Sequence, residues 1–116
     1  MANVELMRQV LDSIDKYPEQ HDQGEWIYGP VPAVAADNGD HPPCGTAMCF
    51  AGWAAFLAAP AGTRIEGSIV YRPGRACQTV SSFAEEVLGI DENQSEALFR
   101  ASNTREDLGR MVDMLA

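Results

Sequence analysis

One lysine, Lys16, stands beside seven arginines in this chain of 116 residues, and the two histidines, His21 and His41, both precede its midpoint. Eight basic side chains against seventeen acids leave a formal net charge of -9. Such a balance repels phosphate, so nucleic-acid binding by neutralising the backbone with Lys and Arg is not expected. The chain also lacks an uncharged apolar run of the roughly 20 residues that span a bilayer, and no membrane association is expected. Its first residues, Met-Ala-Asn-Val-Glu, have neither the basic region nor the apolar core of a secretory leader, so a cytoplasmic protein is expected. Three cysteines, an odd number, argue against a disulfide framework and for reduced thiols.

Against these absences stands a stretch of sixteen uncharged residues, Cys44 to Ala59. The acids crowd on either side of it. Met1 to Pro43 carries eight acids and two bases, Cys44 to Cys77 one acid and three arginines, and Gln78 to Ala116 eight acids and three bases. An uncharged helix between acidic segments has to be enclosed by the rest of the fold or by a partner. With 46% apolar and 22% charged residues the composition is that of an ordinary globular protein, and the length suits a single domain over 1–116 with one core.

Apolar spacing and stop signals divide that domain. Asn3 is an N-cap candidate, and Met7, Val10, Leu11 and Ile14 recur at helical spacing, giving an N-terminal helix within 1–17 that Pro18 stops. Residues 18–45 hold too many prolines and glycines for a long element and read as an ordered loop anchored by aromatics, with room for short extended pieces. The spacing predicts a central helix within 46–59, with Thr46 as its cap and Pro60 and Gly62 ending it. A β-hairpin is predicted within 63–72. In 79–116 three short helices follow: Ser82 and Glu85 form a capping-box pattern, Gly89 is a stop, Asp91 with Gln94 caps the second, and Thr104 opens the third. The expected fold is therefore mostly α with a small β-hairpin, a central buried apolar helix being packed by the N-terminal helix and the three C-terminal ones.

Residues 18–26, Pro-Glu-Gln-His-Asp-Gln-Gly-Glu-Trp, residues 44–54, Cys-Gly-Thr-Ala-Met-Cys-Phe-Ala-Gly-Trp-Ala, and then Leu88-Gly89-Ile90 and Leu98-Phe99 form scattered blocks over about two-thirds of the chain. In these blocks, chiefly Cys-Gly-Thr-x-x-Cys-x-Ala-Gly-Trp, the chain resembles a group of small uncharacterised proteins of actinobacterial phages and their hosts. The resemblance implies a phage-type accessory protein, acting in the cytoplasm of the host cell, and carries no activity with it.

Four kinds of chemistry compete for the polar and sulfur-bearing residues. Non-enzymatic binding to a host protein with a basic surface is the favoured reading, with Trp26, Tyr28, Asp37 and Asp40 as contacts and Asp22 and Glu25 as rim charges that steer encounter. No cofactor is called for, and a homo-oligomer is compatible with the sequence. The enzymatic alternative takes Cys44, just before a helix N-terminus that favours its thiolate, with His21 or His41 as base and Asp22 or Asp40 to orient it. A zinc alternative takes His41, Cys44, Cys49 and Cys77, although paired two-residue cysteine spacing is missing. A fourth reading is a disulfide between Cys44 and Cys49, which cytosolic redox poise disfavours. The bland expectation for Cys49 and Trp53 is burial in the core.

Overall fold

The computed structural model describes residues 3–24, 27–28, 35, 47–66 and 68–115. The Asn3 side-chain oxygen accepts the Leu6 N–H at 3.1 Å, so helix α1, Val4–Lys16, begins with a satisfied first turn. Leu6, Met7, Val10, Leu11 and Ile14 are buried on one side of α1. Tyr17, restricted by the proline after it, leaves helical geometry, and a 3-10 turn, Pro18–Gln20, follows.

Residues 21–22 then run beside Met48. Asp22 donates its N–H to the Met48 carbonyl at 2.9 Å, and His21 bridges Met48 in parallel. Strand β1, Ile27–Tyr28, pairs antiparallel with β2, Ala47–Met48, so that Ile27 faces Met48 and Tyr28 faces Ala47. These pairings correct the expected start of the central helix. Ala47 and Met48 are held in a ladder and cannot form a first helical turn; the helix, α2, is Phe50–Ala58, with Cys49 as its cap in place of Thr46.

Its sequence is apolar around the whole circumference, and Phe50 to Phe56 are all buried. After Pro60 the chain turns at Gly62, whose φ of +85° and Pro73 Cγ neighbour, 3.1 Å from where a Cβ would sit, both favour glycine. The predicted hairpin follows as β3, Arg64–Glu66, and β4, Ile69–Tyr71, with Ile65 opposite Val70. A third strand, β5, Gln78–Thr79, adds to the other side of β4.

Helix α3, Val80–Leu88, starts earlier than its expected Ser82 cap, because the Thr79 hydroxyl accepts the Ser82 N–H. Gly89, at φ +66°, ends it. Asp91 and Gln94 form the full capping box of α4, Glu92–Leu98, with bonds of 2.8 and 3.0 Å. Thr104 and Asp107 exchange bonds at the start of α5, Arg105–Leu115.

The expected class holds: five α-helices among the described residues, a small antiparallel sheet, and the apolar helix α2 at the centre. Helix α2 lies between α1 and α3, while α5 packs on α1 and α4 on α3. Trp53, Phe50, Phe56 and Phe83 are the largest side chains in the core. Two ion pairs join the first and last helices, Asp15 with Arg105 at 2.7 and 2.9 Å and Arg8 with Asp113 at 3.5 Å. Among the described residues no helix is long and apolar enough to cross a membrane.

Candidate functional site

Most of the residues that the sequence puts forward for contact or catalysis lie outside the described residues: Glu25, Trp26, Asp37 and Asp40 of the binding set, and His41 and Cys44 of the catalytic and zinc sets. Of Tyr28 only the backbone, in β1, is placed. The remaining four, His21, Asp22, Cys49 and Cys77, have defined positions.

Cys49 is interior. Its Sγ accepts the Gly52 N–H at 3.5 Å as the cap of α2, and burial pushes the thiol up to about 11, against the bonds from the first-turn amides that favour its thiolate. A thiol in that state, 1% exposed, is a poor nucleophile and a poor metal ligand at neutral pH. Cys77 is exposed, just ahead of β5. Among the described residues no three His, Cys, Asp or Glu side chains stand together as metal ligands would.

His21 takes part in a polar node that the residue spacing did not announce. Its Nε2 lies 2.9 Å from the Gln23 Oε1, which also accepts the Phe50 N–H at 3.1 Å, while the Gln23 Nε2 donates to the Leu98 carbonyl at 3.1 Å. These partners fix the amide orientation, and the His21 Nε2 therefore carries the proton. Gln23, buried, ties the N-terminus of α2 to the C-terminus of α4 and satisfies one of the orphan donors of the central helix. Nearby, the Trp53 Nε1 donates to the Gln20 carbonyl at 3.1 Å and the indole stacks on Tyr17, with centroids 6.3 Å apart. Asp22 is exposed and accepts the Gly24 N–H at 3.0 Å, and His21 pairs with Gln23; of the two orienters open to the catalytic alternative, Asp22 is engaged here and Asp40 lies outside the described residues. The node is scaffold: both atoms of the Gln23 amide and the Trp53 N–H are spent on holding elements together.

Two concave regions lie elsewhere, on either shoulder of α4. At helical spacing Glu92, Ser95, Glu96 and Phe99 share one side, and they face Ser81 and Glu85 of α3 across a cleft of about 380 Å³. The Ser95 hydroxyl, itself buried, donates to Glu85 at 2.6 Å and fixes that carboxylate in the wall. Among the described residues none of Glu85, Glu92 and Glu96 is in an ion pair. On the opposite shoulder Gln94, Ala97 and Leu98 face Met111, Met114 and Leu115 of α5 across a groove of about 150 Å³ with almost no polar surface. Met114, 84% exposed, is the one large apolar side chain among the described residues that stands fully open to solvent.

Comparison with family models, curated proteins and solved structures returns no match. What the chain does is therefore read from its own side chains. The cleft was not legible beforehand, because its acids come from two helices whose relative placement no spacing encodes. The one available signal was the spacing of Glu92, Glu96 and Phe99 on a single helical side.

Proposed function

We propose that this protein is a non-enzymatic binding module that engages a partner with a basic surface, in the manner of a phage accessory protein that modulates a host protein. One observation carries the reading: three carboxylates without ion-pair partners among the described residues, Glu85, Glu92 and Glu96, converge with Phe99 on the larger of the two concavities beside α4. A Lys or Arg side chain entering there meets opposite charge on several sides and an aromatic wall for its stem or its cation. The net charge of -9 adds long-range attraction for the same kind of partner. On sequence grounds the contact surface extends to Trp26, Tyr28, Asp37 and Asp40, with Asp22 and Glu25 at its rim.

The test is binding of an oligolysine peptide followed by fluorescence anisotropy at increasing salt. Affinity should fall steeply with ionic strength and should drop further in a Glu92→Lys, Glu96→Lys double variant. Absence of binding at low salt, or a double variant that binds as wild type does, rejects the proposal. With a host protein as the probe, Trp26→Ala or charge reversal at Asp37 and Asp40 should weaken capture.

A further inference from the structure

We propose that the groove between α4 and α5 receives the apolar anchor of a basic amphipathic helix, whose basic residues cross α4 to reach the acidic cleft. This rests on the binding reading above and adds the kind of segment that is bound and the place where it lies.

The groove is built by two triplets at i, i+3 and i+4: Gln94, Ala97 and Leu98 on one helix, Met111, Met114 and Leu115 on the other. The loop between the helices is pinned, because the Asn103 Nδ2 donates to the Ala97 and Leu98 carbonyls at 2.7 and 3.1 Å and lies 4.0 Å from the Met111 sulfur. An apolar cavity of about 150 Å³ accepts a benzene-sized group. The groove is of that volume, so it has room for one large aliphatic or aromatic side chain. Two methionines in its wall add adaptability, since their unbranched thioether chains repack around different anchors.

Charge selects the occupant. A second copy of this chain brings another -9 to the contact, and the like charges oppose it. A segment of opposite sign is favoured by the same field. Geometry then sets its pattern. The groove and the cleft lie on opposite shoulders of α4, and a helix is about 10 Å across. On a helical ligand, residues one to two turns beyond the anchor stand about 6–10 Å farther along its axis, which carries a Lys or Arg from the groove across to Glu92 and Glu96.

The probe is a synthetic peptide with leucines at i, i+3, i+4 and i+7 and lysines elsewhere, compared with a scrambled peptide of the same composition and no apolar face. Methyl NMR of the methionines gives the location. Met111 and Met114 should shift on titration, while Met7 and Met48, both 0% exposed, serve as fixed internal references. Met114→Gln, at an exposed position that leaves the fold intact, should weaken the patterned peptide by about tenfold, as loss of one anchoring apolar contact implies, and leave the scrambled one unchanged. If both peptides bind equally and Met114→Gln changes neither, the groove proposal falls while the acidic binding reading stands. If neither peptide nor oligolysine binds, both fall. A wild-type dimer that Met114→Gln dissociates makes a second copy the occupant and also overturns the proposal.

Discussion

Gln23 gives one carbonyl and one amide group to three partners, Phe50 of α2, Leu98 of α4 and its near neighbour His21. An alanine there strands the Phe50 N–H in the core and leaves the Leu98 carbonyl with Asn103 alone, so Gln23→Ala should cost about 1–3 kcal/mol in urea unfolding. His21→Ala, which removes only the half-buried third partner, should cost less. The thiols make a second residue-scale contrast. Under native conditions iodoacetamide should modify Cys77 and spare Cys49, as read by peptide mapping. Because burial raises Cys49 from 9.0 to about 11, the unfolded chain releases that proton first. Its contribution to stability is complete below about pH 9 and is lost as pH rises toward 11. Cys49→Ala should flatten that alkaline limb relative to wild type.

At the scale of elements, the Asp15–Arg105 pair fastens α5 to α1 with two bonds. Both side chains are about half exposed, so solvent screening limits a double-mutant-cycle coupling to below about 1 kcal/mol. The hydrogen bond from Arg105 holds the Asp15 carboxyl below its ordinary range. The coupling should therefore be present at neutral pH and disappear as the pH falls through the acid carboxylate range. Asp91→Ala, which removes one half of the α4 capping box, should cost about 1 kcal/mol. Caps of this sort were legible because they are local: Asn3, Gly89, Asp91 and Thr104 sit within four residues of the groups they satisfy at their own helix ends. The start of α2 was not, since what holds Ala47 and Met48 extended is β1, almost twenty residues away, together with the 21–22 segment. Strand β5 escaped for the same reason, two residues being too short for any period. Gln23 sits outside every periodic pattern, and only the distant groups it joins reveal its role.

For the whole molecule, segregation of charge from the uncharged centre was visible directly, and it maps onto a core in which α2 is enclosed and the acids among the described residues lie outside. That surplus repels itself. Raising salt to about 0.15 M, where the screening length is about 8 Å, should raise the melting temperature. A fall would mean that the exposed pairs with Asp15 and Asp113 outweigh the general repulsion. Asn3 contributes at this scale as well as locally, because its N–H and its side-chain amide reach the Leu88 and Val87 carbonyls at 2.7 and 3.2 Å. One residue thus caps the beginning of α1 and the end of α3, and Arg105 and Asp113 fasten the same helix from the far end of the chain. Helix α1 rests on α2 as well as on α5, so a variant cut before Arg105 keeps the first of these contacts and loses both ion pairs, and proteases should digest it faster than the whole chain without its being wholly unfolded.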